Sequence, residues 1–365
     1  MSEVKISIAA GTNVGLFRQN NEDSFVVCSD LNTSEWLNPQ VGQQTDLGEL
    51  GALLVVADGM GGANAGEVAS AIAVNTVQEQ FVPENLRSVI EDDKTVQEYM
   101  KAVVKQADLN IFNQSKENPE TQGMGTTIVM VWILNDKAYV CWCGDSRCYV
   151  LSKRKGLVQL SKDHSYVQEL VDKGELNPEL MHEHPLSNVI TRCLGDAENR
   201  AEPETRVYQL YNGDVLMLCS DGLCGLCHDD VIKDTMVQYH DTPEECKDEL
   251  ISLALSCGGY DNVTVALANV YKENEFVGDE ETDEENTDNN DSEEKEDNGE
   301  NLSSTIRNEV VGHHSHKIRN FILMLLLLVI AAGIYLYVAR ETELVKDLIR
   351  DVTPYWEKLI RYINL

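Results

Sequence analysis

Apolar residues follow two periods along the first three quarters of the chain. Short, nearly unbroken apolar runs at 53–57, 127–134, 137–143, 206–210, 214–219 and 262–270 predict β-strands. Asn135-Asp136 separates the second and third runs, the length and chemistry of a tight hairpin. Helical spacing governs two other stretches. Val96, Tyr99, Met100, Val103, Val104, Ala107 and Ile111 predict a helix over 96–112. A second helix is expected to start at Pro243, after Thr242, and to carry Leu250, Ile251, Leu253 and Ala254 toward Gly258-Gly259. Most strands are joined without a single intervening helix. That favours an α+β architecture, with packed antiparallel sheets and helices outside, over a doubly wound parallel sheet.

Beyond residue 271 the pattern changes. Residues 272–316 are rich in Glu, Asp, Asn and Ser and predict an acidic disordered linker, with a reach of roughly 37 Å as a flexible coil. Residues 321–339 then run without a charge, through Leu325-Leu326-Leu327-Leu328. As a helix they span about 28 Å, close to the hydrocarbon thickness of a bilayer. Lys317, Arg319 and Arg340 bracket them, with Tyr335 and Tyr337 near one end, so a transmembrane helix with its flanks is expected over 317–340. An amphipathic tail follows at 341–365, with Leu344, Val345, Leu348, Ile349 and Val352 on one stripe. The folded domain is thus expected over 1–271.

Net charge is −33 across 365 residues. Residues 272–301 contribute 15 acids against Lys272 and Lys295, a net of −13. Such a balance excludes binding nucleic acid through the phosphate backbone, which needs a basic surface. There are ten cysteines, of which Cys141, Cys143 and Cys219 stand inside apolar runs, as buried reduced thiols do. Cys224 and Cys227 form a C-x-x-C without a second pair at zinc-ribbon spacing, so core packing is the expectation and redox sensing the alternative. Met1 to Ala10 offers only the patch 6–10, too short for a signal-peptide core. Basic residues flank the expected span on both sides and do not orient it. The short N-terminal patch and the thiols lead to the expectation of a single-pass protein at the cell membrane, with the large domain in the cytosol and a short exterior tail.

Candidate chemistry lies where carboxylates interrupt apolar sequence. Leu53-Leu54-Val55-Val56-Ala57 runs into Asp58-Gly59; Val215-Leu216-Met217-Leu218-Cys219 runs through Ser220 into Asp221-Gly222; Asp261-Asn262 opens another strand. Each acid is expected at a strand end, and Glu22-Asp23 stands upstream. Singly, an Asp-Gly after a strand marks a turn. Converging carboxylates repel one another strongly, and divalent cations with hard oxygen ligands, Mg²⁺ or Mn²⁺, relieve that repulsion.

Six motifs carry a resemblance: Gly15-x-x-Arg18-x-x-Asn21-Glu22-Asp23, Val56-Ala57-Asp58-Gly59-Met60-Gly61-Gly62, Gly125-Thr126-Thr127, Gly144-Asp145-Ser146-Arg147, Ser220-Asp221-Gly222 and Asp261-Asn262-Val263-Thr264. In this order and spacing, over residues 4–270, the chain resembles the metal-dependent (PPM, type 2C) protein serine/threonine phosphatases of bacterial type. The resemblance implies two antiparallel sheets packed as a sandwich between helical layers. It implies two Mn²⁺ or Mg²⁺ ions, with Asp58 bridging, the Gly59 carbonyl and Glu22 completing one site, and Asp221 and Asp261 holding the other. Asp23 would act through water, and Arg18 would grip the substrate phosphate with its planar fork. Water activated between the ions would attack phosphorus in line, without a phosphoenzyme. Gly125-Thr126-Thr127 is expected to pack the core.

The family pattern also shows where this chain departs. Met60 stands where some members carry a histidine that protonates the leaving group, and His164 and His184 are expected to be structural. Gly225 stands where many members carry an aspartate for a third metal; Asp145, the other usual ligand there, is present, so a third ion would bind weakly or use Ser165. The implied partners are phosphoserine and phosphothreonine proteins, with a serine/threonine kinase as the functional counterpart. The alternative is a pseudophosphatase that binds phosphoproteins at the membrane without turnover.

Overall fold

Strands with both faces buried explain the unbroken apolar runs. In the computed structural model, which describes residues 4–272 except 34, 37–42 and 62–64, alternate residues of one strand enter different cores. The linker, membrane span and tail expected beyond residue 272 lie outside the described residues. Among the described residues no helix is long and apolar enough to cross a membrane.

Twelve strands and seven α-helices are described. In chain order they are β1 (Val4–Asn13), β2 (Asp23–Cys28), β3 (Thr45–Asp46), β4 (Ala52–Met60), α1 (Ala65–Gln80), α2 (Pro83–Leu86), α3 (Asp93–Glu117), β5 (Gly125–Thr126) and β6 (Ile128–Leu134). There follow β7 (Lys137–Cys143), β8 (Arg147–Ser152), β9 (Gly156–Gln159), α4 (Tyr166–Asp172), β10 (Glu204–Gln209), β11 (Val215–Cys219), α5 (Asp221–Cys224), α6 (Asp229–Gln238), α7 (Pro243–Ser256) and β12 (Val263–Lys272). One antiparallel sheet has the order β3-β1-β12-β11-β8-β9 and the other β10-β7-β6-β4-β2, with β5 added to the end of β4.

Three apolar layers hold these sheets. Leu54, Val56, Val131, Val140, Leu216, Leu218 and Ala268 fill the space between the sheets. Leu53, Val55 and Ala57, one residue out of step, join Trp132 and the α1 and α3 residues Ala69, Ala73, Met100, Val104 and Ile111. Met217, Cys219, Val265 and Leu267 pack on Ile232, Met236, Leu250 and Ala254 of α6 and α7. Period-2 alternation therefore assigns each strand residue to one of two cores, and the expected helix–sheet–sheet–helix sandwich is observed.

Local signals place several boundaries. Leu134 pairs with Lys137 across a two-residue turn in which Asn135 takes φ 55°, as the hairpin reading requires. Helix α7 opens at Pro243 with Thr242 as its cap residue. Helix α3 starts three residues earlier than its apolar stripe, because the Asp92 carboxylate accepts from the Lys94 and Thr95 amides. β1, β2, β3, β5, β8, β9, α1, α2, α4, α5 and α6 are additions to the expected elements. The face that α1 buries is made mostly of small residues, Ala65, Gly66, Ala69, Ser70 and Ala73 among them, rather than of bulky ones.

Leu54 is fully buried between the sheets. Leu54→Ala is expected to cost about 2–5 kcal/mol of unfolding free energy. Urea denaturation measures it, and a loss below about 1 kcal/mol would contradict the close-packed inter-sheet layer described above.

Candidate metal centre

The acids meet where the two sheets face each other at one end. Asp23 and Asp58 are directly opposite on β2 and β4 of one sheet. Asp221 begins α5 directly after β11, and Asp261 precedes β12, on the other sheet. Asp58 is not at the strand end: β4 continues because Gly59 and Met60 pair with Thr126 and Gly125 of β5.

Asp23 ties the sheets together. Its Oδ2 accepts from Ser220 Oγ at 2.8 Å and from Thr264 Oγ1 at 2.6 Å, both on the opposite sheet. Its Oδ1 is buried without a hydrogen-bond partner. Burial, and then the charges of Asp221 and Asp261, push this carboxyl up to about 7 against the two hydrogen bonds. Asp58 is raised well above the usual carboxylate range, by burial first and then by Asp23, Asp221 and Asp145. It hydrogen-bonds Asp221, which burial and Asp261 also raise. Asp145 is likewise raised by burial and by Asp221 and Asp163, and its Oδ1 too is a buried acceptor with no donor.

Backbone clamps fix these groups. The Asp58 amide donates to Thr127 Oγ1 at 3.1 Å, while its carbonyl accepts from Thr126 Oγ1 and the Thr127 amide. The Glu22 amide donates to Asn262 Oδ1 at 2.7 Å, and Asn262 Nδ2 reaches the Val14 and Asn20 carbonyls. Gly59 is glycine for space: a Cβ there would lie 2.2 Å from the Gly66 carbonyl oxygen. Gly66, at the start of α1, in turn borders both the Gly59 carbonyl and the Glu22 carboxyl. The Glu22 carboxyl is raised by burial, partly offset by Arg18.

Arg18, expected to grip phosphate, lies at the rim of the cluster beside Asp261. Its Nη2 donates to Asp261 Oδ2 at 2.6 Å, and this half-exposed pair raises the guanidinium pKa further. Among the described residues no three Asp, Glu, His or Cys side chains form a ready cation cage. Asp58 is instead paired with Asp221, and Asp261 with Arg18. The donor set nevertheless fits hard divalent cations. All its atoms are oxygens, and two carboxylates present buried oxygens that have no hydrogen-bond partner among the described residues.

A cavity of about 40 Å³ adjoins the cluster, lined by Asp145, Asp163, Ser165, His182, Asp221 and Gly225 among others. Arg147 forks onto Asp163, with contacts of 2.7–3.0 Å, and closes one wall. His164 is structural: it accepts from the Gly144 amide at 3.1 Å, stacks on Trp142, and is pushed down chiefly by burial. His184 accepts from the Leu186 amide. Cys224 and Cys227 are buried free thiols, as packing requires.

Residues 43–256 match the family model described as Protein phosphatase 2C. The chain is 32 % identical over 270 residues to the protein phosphatase PhpP of Streptococcus pneumoniae, covering 74 % of this chain and 99 % of that one. The chain belongs to the protein phosphatase 2C family. It is also 35 % identical over 267 residues to the serine/threonine protein phosphatase PstP of Mycobacterium tuberculosis, covering 72 % of this chain but only 44 % of that relative. The solved catalytic domain of PstP, in complex with two manganese ions, superposes with a TM-score of 0.58 at 32 % identity, over 73 % of this chain and 99 % of that one.

As a protein phosphatase 2C member, the chain brings Asp23, Asp58, Asp145, Asp221 and Asp261 to one end of the sandwich, with Glu22 and Gly59 at its α1 side. Sequence reasoning left Asn262 and the Ser220–Thr264 pair on Asp23 without a role, and gave Thr126-Thr127 core packing alone, whereas these buried threonines also clamp the Asp58 backbone. Each belongs to a quoted motif, so the signal was present but these contacts were unassigned.

Asp23 supplies a sign-definite pH test. Its folded value, about 7, lies above the 3.8 of an exposed aspartate, so the folded chain holds the extra proton between them. The resulting stabilisation is complete below 3.8 and lost by about 7 as pH rises. His164 and His182, both pushed down, act in the opposite direction, so the comparison is made against Asp23→Asn. In EDTA, wild type should lose stability relative to Asp23→Asn as pH rises across this window. A difference that is flat or widens the other way in urea titrations would refute it.

Proposed function

We propose that the chain is a protein serine/threonine phosphatase that hydrolyses phosphoserine and phosphothreonine and is tethered to the membrane by residues 317–340. The observation that carries the reading is the buried acid cluster with two unsatisfied carboxylate oxygens at the meeting edge of the sheets. Asp58, the Gly59 carbonyl and Glu22 would hold one Mn²⁺ or Mg²⁺; Asp58, Asp221 and Asp261 would hold the second. Asp23 would act through bound water. Asp145 would hold a weaker third ion at the small cavity, whose wall lacks an acid at Gly225. The bound pair supplies Lewis acidity that activates water and offsets phosphate charge.

The remaining work belongs to side chains. Asp58 and Asp221, both raised by burial, must be ionised to serve as ligands, so low pH opposes occupancy. Arg18 engages Asp261 through one nitrogen and keeps further donors of its fork for a phosphate oxygen. Met60 offers no proton to the leaving alkoxide, so solvent supplies it. Rigid strands hold the acids, which favours in-line attack by fixing the approach of water to phosphorus. A serine/threonine kinase is the natural counterpart, and the catalytic domain is read as cytoplasmic.

Mn²⁺-dependent, EDTA-sensitive hydrolysis of phosphothreonine peptides by the purified full chain tests the activity. Removing groups that merely orient metal ligands costs about 10–100-fold, so Asp58→Asn and Asp221→Asn should each lose at least about 100-fold in kcat/KM. Arg18→Ala should raise KM about tenfold, the worth of one charge-assisted contact. Phosphopeptide binding that survives EDTA without turnover would favour a pseudophosphatase, for which Gly225 is the one specific departure.

Tethering has its own test. The full chain should stay in the membrane fraction through alkaline carbonate extraction, and truncation after residue 316 should release it. Full-length chain in the soluble fraction would remove the anchor from the proposal.

A further inference from the structure

The loops that carry Arg18 and Asp261 also expose an apolar surface that the hydrolytic chemistry leaves unused. Leu16, Phe17 and Tyr260 are 64 %, 66 % and 59 % exposed, the highest values among the large apolar side chains described. The Phe17 and Tyr260 rings stack with centroids 4.9 Å apart and planes at 30°. Phe17 immediately precedes Arg18 and Tyr260 immediately precedes Asp261, whose charged atoms are 2.6 Å apart. The aromatic stack and the ion pair are therefore neighbours along the same two loops.

These loops are held, not loose. The Leu16 amide donates to the Gly259 carbonyl at 2.8 Å, the Gly15 amide to Asn13 Oδ1 at 2.9 Å, and Asn262 Nδ2 to the Val14 carbonyl at 2.9 Å. Gly15, at φ +80°, permits the contact, since a Cβ there would lie 2.2 Å from the Asp261 carbonyl oxygen. A contiguous, pre-stacked apolar surface fixed beside a site marks a place of contact, and little ordering entropy remains to be lost there.

We propose that Leu16, Phe17 and Tyr260 form a docking ledge for phosphoprotein substrates, receiving an apolar or aromatic side chain within two positions of the phosphorylated residue. The proposal rests on the phosphatase reading and deepens it. Continuity with Arg18 selects this occupant. An extended peptide advances about 3.4 Å per residue, so with its phosphate at Arg18 the residues within two positions lie no more than about 7 Å along the peptide. Aromatic faces suit apolar and aromatic partners.

Full chain with Mn²⁺ is assayed on phosphothreonine peptides bearing Leu or Phe, against Ser, at the flanking positions, and on para-nitrophenyl phosphate, which has no flanks. Wild type should favour the apolar flanks by about 5-fold or more in kcat/KM. Phe17→Ser and Tyr260→Ser should abolish that preference and leave para-nitrophenyl phosphate turnover within about twofold, while Phe17→Tyr should retain it. Equal kcat/KM for both peptide classes in wild type, or a preference that survives both serine variants, overturns the ledge. Absence of para-nitrophenyl phosphate turnover in wild type overturns the phosphatase reading, and the ledge with it, so the two failures are distinguishable.

Discussion

Mutual repulsion among buried carboxylates is the constraint around which this end of the molecule is arranged. Asp23, Asp58, Asp145 and Asp221 are all driven toward their protonated forms by burial and by one another. A fold selected for stability alone would not retain them, since close like charges in a low-dielectric interior cost several kcal/mol per pair by order of magnitude. The chain supplies only partial relief: two hydroxyl donors on Asp23, and Arg18 on Asp261. Two oxygens remain without any donor among the described residues. Buried acceptors of this kind are costly, and divalent cations with oxygen ligation are the chemistry that satisfies them.

Holding such a cluster needs both sheets at once. Asp23 and Asp58 come from one sheet, and Asp221 and Asp261 from connections of the other, so the separation of the acids is set by the apolar layer of Leu54, Val56, Leu216 and Leu218. Polar bonds repeat the same constraint at the rim. Ser220 and Thr264 reach across to Asp23, and Asn262 fixes the Glu22 amide and the loop before it. Site geometry and core packing are thus one property, because shifting a sheet would break the carboxylate bonds and the inter-sheet contacts together.

Much of this was legible in the sequence where a pattern has a single physical cause. Runs such as 53–57 and 214–219 are apolar on both faces because both faces are buried, and the Asn135-Asp136 turn follows from two residues with the right conformational freedom. The acids stood out because charge inside apolar sequence is expensive. Other elements were hidden for equally definite reasons. Strand β1 mixes Ser7, Gly11 and Thr12 into its run, and Ser7 is buried all the same. Helix α1 buries a stripe made mostly of small residues, Ala65, Gly66, Ala69, Ser70 and Ala73 among them, which a search for bulky apolar positions passes over. The Arg18–Asp261 pair was illegible, joining residues 243 positions apart through a contact that only the fold creates.

That pair also bears on how an anionic substrate finds so acidic a protein. With a net charge of −33, the long-range field of the chain repels phosphate, so recognition must come from charges at contact distance. Among the cations near the cluster, Arg147 is buried and committed to Asp163, whereas Arg18 is half exposed and tied through one nitrogen. Asp261 is thus both a candidate ligand and the present partner of Arg18, the residue proposed to hold phosphate. Any neutralisation of Asp261 weakens its hold on Arg18, which would release the guanidinium toward an incoming anion. On the proposed reading, filling the acidic cluster and gripping phosphate would be linked through this single carboxylate.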